Sequence, residues 1–388
     1  MDETRVRRGE VAKLSRVEGD LRVESHARIV ASEGNKVVVS GRAYFEGAAE
    51  IDSDFECSFL TSKNGMLRAN GSIVVHEEID VEEALYAKGS LQAREIDIGG
   101  KISIGASLSA QSVQVGGSLD VDRELTVEEV EVGGTLRVGG EVKLNDIDVG
   151  GKAEIGGGFI GHRVEVGGTF KCTKQLKFDH IETGGTVELG GGEGNRIEVG
   201  GKLSSIGDLK CDDLEVGGVV DVEGNLSSRS VEVGGKMRVS QDMSASERLE
   251  VGGVVDVGGV LSGADLEVGG NIRASKGIFS RVAKLSGSQT REGFKAAKIE
   301  LRKGSKCTGP LVGSEVRIGK RSQVEDVYGQ RIVIEDGSRI GKIYAESAEI
   351  GDECAIVSLV YTKELRQGER VDYRSAPQKV DALPAFPL

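Results

Sequence analysis

A Gly-Gly pair recurs along the middle of the chain at nearly constant spacing. The intervals are 17 residues, apart from one of 16 and one of 18. A fixed period of this size is typical of a stacked repeat architecture, so the pairs predict one structural unit per repeat rather than a series of phosphate-binding loops. The pairs begin at Gly99, Gly116, Gly133, Gly150, Gly167, Gly184, Gly200, Gly217, Gly234, Gly252 and Gly269.

Apolar residues within each repeat follow the periodicity of a strand. Counted from the first glycine of a pair, they fall at positions −3, −1, +3, +5, +9 and +11. Residues two apart point to the same face of a strand, so each repeat predicts three short strands with two inward side chains each. For the pair at Gly116 the six residues are Val113, Val115, Leu119, Val121, Leu125 and Val127.

Three strands per repeat predict an all-β fold, a triangular parallel β-solenoid (β-helix). A right-handed coil is favoured because parallel crossovers are nearly always right-handed. Extending the pattern in both directions gives roughly 20 coils of 16–18 residues between about residues 15 and 363. We expect the Gly-Gly pairs to form tight corners at positive φ, where a residue without Cβ is favoured.

The regularity of the pattern also predicts the organisation of the chain. The predicted segments are an N-terminal tail (1–14), an irregular solenoid start (15–98), the regular Gly-Gly solenoid (99–285), a basic insertion with transition coils (286–315), C-terminal repeats of period 16 (316–363) and a flexible Pro-containing tail (364–388). In the period-16 repeats Val324, Ile340 and Ile356 align, and so do Tyr328 and Tyr344.

Composition narrows the compartment and the chemistry. No apolar run is long enough for a membrane span, and the N-terminus lacks the apolar core of a signal peptide, so we expect a cytoplasmic protein. The five cysteines are an odd number without CxxC spacing, which argues against a disulfide framework or a zinc site. Cys172 and Cys211 fall on inward positions and are expected to be buried thiols. We predict no bound metal and no cofactor.

Charge is distributed unevenly along the chain, whose net charge is −13. Position −2 of the repeats points outward and forms an acidic column of one carboxylate per coil, broken only at Gln114. This column predicts a surface for cations or for a basic partner, or else a solvated edge that prevents lateral aggregation. Its members are Asp97, Gln114, Glu131, Asp148, Glu165, Glu182, Glu198, Glu215, Glu232, Glu250 and Glu267.

A basic collar follows the acidic column. Residues 281–321 carry 11 basic and 3 acidic side chains, and the collar itself comprises Lys295, Lys298, Arg302, Lys303 and Lys306. Such a patch predicts a solvated face or an electrostatic contact within an assembly, and it could also bind another protein or an anionic membrane surface. Nucleic acid is disfavoured because only Phe279 and Phe294 could stack on bases.

Catalysis finds no support in the sequence. The four histidines do not line up between repeats, and no Ser/His/Asp or Cys/His set has a rationale. A GxGxxG match at Gly156–Gly161 lies inside the repeat and is followed by no helical pattern. We therefore predict that the protein is not an enzyme.

The C-terminal repeat resembles the bactofilin family of polymer-forming cytoskeletal proteins. The similarity is carried by Val316–Lys320, Val327-Tyr328 and Ile334–Gly341, and by Val17–Leu21 near the N-terminus. The resemblance implies a right-handed triangular β-helix that polymerises end to end without nucleotide. This chain has more coils than a typical bactofilin, and the Gly-Gly array is not the usual bactofilin pattern.

The functional prediction is a structural protein that self-assembles by end-to-end stacking of solenoids into a nucleotide-independent filament or scaffold. The alternative is a rigid binding module that presents its acidic and basic faces to a macromolecular partner. Open solenoid ends carry unpaired strand groups that can template another chain, so the predicted interface lies in the terminal coils. The residues chosen for it are Val37, Val39, Tyr44, Phe45, Ile356, Leu359, Val360 and Tyr361.

Overall fold

The computed structural model describes residues 3–385, where every regular element is a β-strand. The fold is all-β, with parallel strands stacked as a β-solenoid of about 22 turns, which confirms the predicted fold class. The chain divides into two compact units, the first ending at Gly194 and the second beginning at Asn195. Within residues 3–385 no helix has the length and apolarity that a membrane span requires.

The first unit begins with short strands, one for each side of a coil, and its later strands are longer. They are β1 (Glu3–Val6), β2 (Val11–Leu14), β3 (Arg16–Val17), β4 (Asp20–Val23), β5 (Arg28–Ala31), β6 (Lys36–Val39), β7 (Arg42–Glu46), β8 (Ala49–Ile51), β9 (Asp54–Cys57), β10 (Phe59–Lys63), β11 (Met66–Ala69), β12 (Ile73–Val75), β13 (Glu78–Val81), β14 (Ala84–Ala87), β15 (Leu91–Gln92), β16 (Glu95–Ile98), β17 (Lys101–Ile104), β18 (Leu108–Ser109), β19 (Ser112–Val115), β20 (Ser118–Val121), β21 (Leu125–Thr126), β22 (Glu129–Val132), β23 (Thr135–Val149), β24 (Lys152–Val166), β25 (Thr169–Cys172), β26 (Leu176–Thr183), β27 (Thr186–Leu189) and β28 (Gly192–Val199). The last of them, β28, crosses into the second unit, which begins at Asn195.

Each early strand pairs with the strand three places further along the chain. Thus β13 pairs with β16, β14 with β17 and β15 with β18, all in parallel. Three strands therefore complete one coil, and equivalent strands of successive coils form three sheets. The long strands β23 and β24 each run along more than one side of a coil.

Inward residues of successive coils stack directly on one another. At position −3 the register runs from Ile96 through Val113 and Val130 to Ile147, and all of these side chains are buried. β-Branched side chains favour strands and pack well on a pleated surface, so the same residue types can repeat in every coil. The six apolar positions predicted for the repeat at Gly116 are all buried.

In the second unit, short strands occur together with longer strands that turn between two sides of a coil without interruption. They are β29 (Lys202–Ser205), β30 (Leu209–Val216), β31 (Val219–Val222), β32 (Leu226–Val233), β33 (Lys236–Val239), β34 (Met243–Val251), β35 (Val255–Val257), β36 (Val260–Val268), β37 (Ile272–Phe279), β38 (Val282–Thr308), β39 (Leu311–Ile318), β40 (Gln323–Ile334), β41 (Arg339–Ile350), β42 (Ala355–Gln367), β43 (Asp372–Tyr373) and β44 (Gln378–Lys379). The extra residue of the 18-residue repeat sits in an irregularity between Ala245 and Arg248.

The period-16 repeats align in space as predicted. Val324 pairs with Ile340, which pairs with Ile356. The rings of Tyr328 and Tyr344 stack with centroids 4.9 Å apart and planes within 4°.

The Gly-Gly pairs serve a purpose different from the predicted one. None of them has a positive φ, so conformational freedom does not explain their presence. A Cβ built on Gly150 would instead lie 2.5 Å from the carbonyl oxygen of Gly133 one coil earlier. At stacked Gly-Gly corners the two backbones thus approach so closely that an added Cβ would clash with the coil before.

The structure also corrects the predicted limits of the solenoid. β1 and β2 lie within the predicted tail 1–14 and pair with β4 and β5. The predicted basic insertion at 286–315 is instead a regular part of the solenoid, because β38 runs through it and pairs with β37 and β39. In the predicted flexible tail 364–388, β43 and β44 pair with β42, while residues 386–388 lie outside the described part of the chain.

Candidate interaction surfaces

The acidic column of the first unit is confirmed as a set of directly adjacent residues. Glu131 pairs with Asp148, which pairs with Glu165. The predicted members run from Asp97 to Glu182, and Asp80, which pairs with Asp97, extends the column by one coil. Equivalent positions of neighbouring coils lie about 4.8 Å apart, so like charges repel along the column. Arg163 reduces this repulsion at the Glu182 end of the column, because its Nη2 lies 3.0 Å from Glu165 Oε2 and 2.6 Å from Glu182 Oε2.

The acidic column of the second unit contains more cations. Its members are Glu198, Glu215, Glu232, Glu250 and Glu267. Arg196 and Arg248 form ion pairs with Glu198 and Glu250 on their own strands. Glu267, the last carboxylate of the column, lies 2.9 Å from Arg302 and 3.8 Å from Lys284.

A second outward column, at position +4 of the repeats, alternates in charge. Sequence analysis missed this column, although the signal is visible once the repeats are aligned at that position. Opposite charges on neighbouring coils attract each other. The charges of this column therefore balance one another, whereas the neighbouring carboxylates of the acidic column repel. In the first unit it contains Asp120, Arg137, Glu154, Lys171 and Glu188, and in the second unit Asp221, Arg238, Asp256 and Arg273.

The two columns predict opposite effects of removing one carboxylate. Asp148→Asn removes repulsion by Glu131 and Glu165, so we expect it to raise the free energy of unfolding by about 0.5 kcal/mol at low salt. Glu154→Gln removes attraction to Arg137 and Lys171, together with the 3.2 Å ion pair to Lys152, and should lower the free energy of unfolding by a similar amount. Urea unfolding followed by circular dichroism measures both, and added salt should shrink both differences. If both variants changed the free energy of unfolding in the same direction, the two columns would not differ in their electrostatics as described.

Ion pairs occupy part of the basic collar. Lys298 Nζ lies 2.7 Å from Glu300 Oε1, and Arg302 is bound to Glu267. Hydrogen bonding to Glu300 raises the pKa of Lys298. Lys303 and Lys306 form no ion pair with any residue from 3 to 385. The collar therefore offers less free positive charge than its composition predicts.

The predicted interface residues near the N-terminus lie inside the stack of coils. Strand β6, with Val37 and Val39, lies between β3 and β9, and β7, with Tyr44 and Phe45, lies between β4 and β10. The two valines and Phe45 are buried, while Tyr44 faces outward with the Arg22 guanidinium 4.9 Å from its ring centroid. The prediction was wrong because the solenoid begins a coil earlier, at β1.

The predicted interface residues near the C-terminus are covered in the same way. Ile356 pairs with Tyr373, Val360 with Gln378 and Tyr361 with Lys379. Ile356 and Leu359 are 2% and 1% exposed, so a charge at either position would disrupt the core rather than an interface. The end of the described solenoid is formed by β43, β44 and the last residues of β42.

Glu56 is the centre of a charged cluster on the N-terminal coils. It forms an ion pair with Lys36 and accepts a hydrogen bond from His76 Nε2 at 3.0 Å. These hydrogen bonds, from Lys36 first and His76 second, lower the pKa of Glu56 below its ordinary value of 4.5.

A lowered carboxyl pKa makes the Glu56 contribution to stability depend on pH. The contribution is fully present above the unfolded-state pKa and is lost as the pH falls through the lower folded-state pKa. We expect Glu56→Gln to lower the thermal midpoint at pH 7 and to have progressively less effect as the carboxyl of the parent protein protonates. Thermal unfolding at a series of pH values, with Glu33→Gln on an exposed turn as the control, measures this. A pH-independent difference would contradict it.

The cysteines are confirmed as buried thiols. All five are free and buried. Burial raises the pKa of Cys57 and Cys211 to about 12 and that of Cys172 to about 11, so these thiols are poor nucleophiles at neutral pH. Among residues 3–385 no group of three or more His, Cys, Asp or Glu side chains is arranged to hold a metal ion.

Parallel coils that stack in register and differ mainly in their outward columns define a β-solenoid repeat protein. Comparison with protein-family models, with curated proteins and with solved structures finds no match.

Proposed function

We propose that this chain is a structural protein that self-assembles through the ends of its solenoid into a nucleotide-independent filament or scaffold. One observation carries the proposal: the outermost strands have a partner on one side only. Within residues 3–385, β1 pairs with β4 alone, and β43 and β44 each pair with β42 alone. Unpaired strand edges are templates for adding a further strand from another chain. The resemblance of the C-terminal repeat to cytoplasmic, polymer-forming bactofilins agrees with this proposal.

Electron microscopy of the purified protein tests self-assembly directly. Negatively stained samples over a range of protein and salt concentrations should contain particles longer than a single chain. Backbone pairing is screened little by salt, so the assemblies should persist as ionic strength rises. Val11→Lys, which places a charge on a side chain that is 60% exposed in the first coil, should reduce assembly without unfolding the protein. Single chains under every condition would reject the proposal.

A second candidate function is a rigid binding module for a basic protein. The contrast between the two outward columns favours this function. At the same spacing between coils, the column at position +4 alternates in charge, whereas the acidic column does not. The acidic column of the first unit keeps Glu131, Asp148 and Glu165 adjacent despite their repulsion. A basic partner laid along this column would relieve that repulsion. Salt-sensitive capture of a polylysine probe, lost in Glu131→Gln/Asp148→Asn and retained in Glu154→Gln, would support this function.

A further inference from the structure

We infer that the free edge of β1 pairs antiparallel with β1 of a second copy, and that the C-terminal coil is a cap that joins nothing. The inference rests on the proposed function and selects its discrete form, a two-chain assembly. Three observations carry it: the polar residues at the C-terminal end, the absence of charge at the inward positions of the N-terminal coil, and the charge pattern of β1.

The C-terminal coil replaces core residues with polar ones at each side of the coil. In register, Ile350 is followed by Gln367, Ile356 by Tyr373 and Tyr361 by Lys379. The Tyr373 hydroxyl donates a hydrogen bond to Gln367 Oε1 at 3.0 Å. A second copy stacked on this end would have to desolvate these groups, and the Lys379 ammonium would be the most costly. Charges at inward positions are a known means of blocking sheet edges.

The N-terminal coil carries no charge at its inward positions. Thr4, Val6, Ala12 and Val17 occupy them, and the last three are buried. Val11, on the outward side of β2, is 60% exposed. Within the described residues of this coil, a strand added to β1 would therefore desolvate no charged group at an inward position.

The charges of β1 favour a copy of itself over the C-terminal end. In an antiparallel pair centred on Thr4, Glu3 lies opposite Arg5 of the second copy, and Arg5 lies opposite its Glu3. Both side chains are exposed on the same face of the strand, where Glu3 also lies 3.8 Å from Arg22 and Arg5 lies 3.9 Å from Glu24. In a head-to-tail junction, the N-terminal coil of one copy would stack on the C-terminal coil of another. With the inward residues in register, this junction would place Glu364 beside Glu3 and Arg366 beside Arg5. Like charges directly opposite each other destabilise a strand pair, whereas opposite charges stabilise it.

Such a pairing is isologous, because both copies use the same edge. Once the two β1 edges have met, neither can accept a third chain, and β2 and β3, whose outer edges belong to the same coil, lie at the same contact. The assembly therefore closes at two chains.

Charge reversal on β1 distinguishes the two junctions. We expect the parent chain to be a dimer by size-exclusion chromatography with light scattering. Arg5→Glu should raise the dimer dissociation constant about tenfold, since two symmetry-related pairs change from opposite to like charge. Mixing Arg5→Glu with Glu3→Arg should restore dimers as heterodimers. Arg366→Glu is the matched control and should have no effect. Circular dichroism verifies that each variant is folded.

Disulfide trapping gives a second readout that does not depend on affinity. Thr4→Cys should oxidise to a covalent dimer, because Thr4 faces itself across the pair and the native cysteines are buried. A head-to-tail junction would instead link Thr4→Cys to Leu365→Cys in a mixture. Three results would overturn the inference while leaving self-assembly through the ends intact. They are a disulfide between Thr4→Cys and Leu365→Cys, filaments formed by the parent chain, and tighter assembly of Arg5→Glu. A parent chain that stays monomeric at every concentration would reject both.

Discussion

Gly150→Ala is expected to lower the free energy of unfolding by about 3 kcal/mol, the upper range for overpacking a well-packed site. The added methyl group would lie 2.5 Å from the Gly133 carbonyl oxygen. That oxygen belongs to the backbone and cannot rotate away, so the coils must separate locally. Urea unfolding followed by circular dichroism measures the change.

Gly304→Ala is the informative control for Gly150→Ala. Gly304 has a φ of +75° and open space around the position of a Cβ, so its replacement tests left-handed backbone strain alone. That strain is about 1–2 kcal/mol, which is less than the cost expected at Gly150. If stacking did not require Gly150, alanine there would stabilise the protein slightly, because it restricts the unfolded chain. A stabilising Gly150→Ala would therefore contradict the close-approach explanation.

Phe45→Ala is expected to cost about 4 kcal/mol, the range for a large buried aromatic side chain. The Phe45 side chain is fully buried, and its ring meets that of Phe55 edge-on with centroids 6.0 Å apart. Its removal leaves a cavity between coils that are held by strand pairing on both sides. Thermal unfolding and limited proteolysis of the N-terminal coils measure the loss.

The adjacent Tyr44 provides the control for Phe45. Its ring faces outward against Arg22, a contact worth about 1 kcal/mol or less at an exposed site. Tyr44→Ala should therefore change stability little. If Phe45 were an interface residue, its replacement would change assembly and leave the unfolding transition in place, which is the opposite of the expected result.

The core was predictable because it depends on a pattern that repeats in every coil. Val113 and Leu119 could be placed inward from period-2 spacing alone, and the alignment of Val324 with Ile340 followed from the period of 16. The reason for the glycines was not predictable in the same way. Sequence spacing identifies a corner but contains neither the φ of Gly150 nor its distance to the coil before it.

The ends of the solenoid were misplaced because end coils depart from the repeat pattern. Gln367, Tyr373 and Lys379 stand where the repeat pattern places apolar residues, so the sequence predicts a tail in place of the last coil. In the first coil, β1 has only two inward residues, and one of them is the polar Thr4, so the apolar alternation does not extend to it. Ile356 and Val39 consequently seemed terminal although a further coil covers each of them.

The alternating column gives the surface a longer period than the core. The core repeats every coil, but the signs at Asp120, Arg137 and Glu154 return only every second coil. Duplication of one coil would preserve the packing of the core but place two like charges side by side. Duplication of two coils would preserve both the packing and the alternation of charge. A solenoid of this kind is therefore expected to lengthen or shorten by pairs of coils, in steps of 34 residues where the 17-residue interval holds.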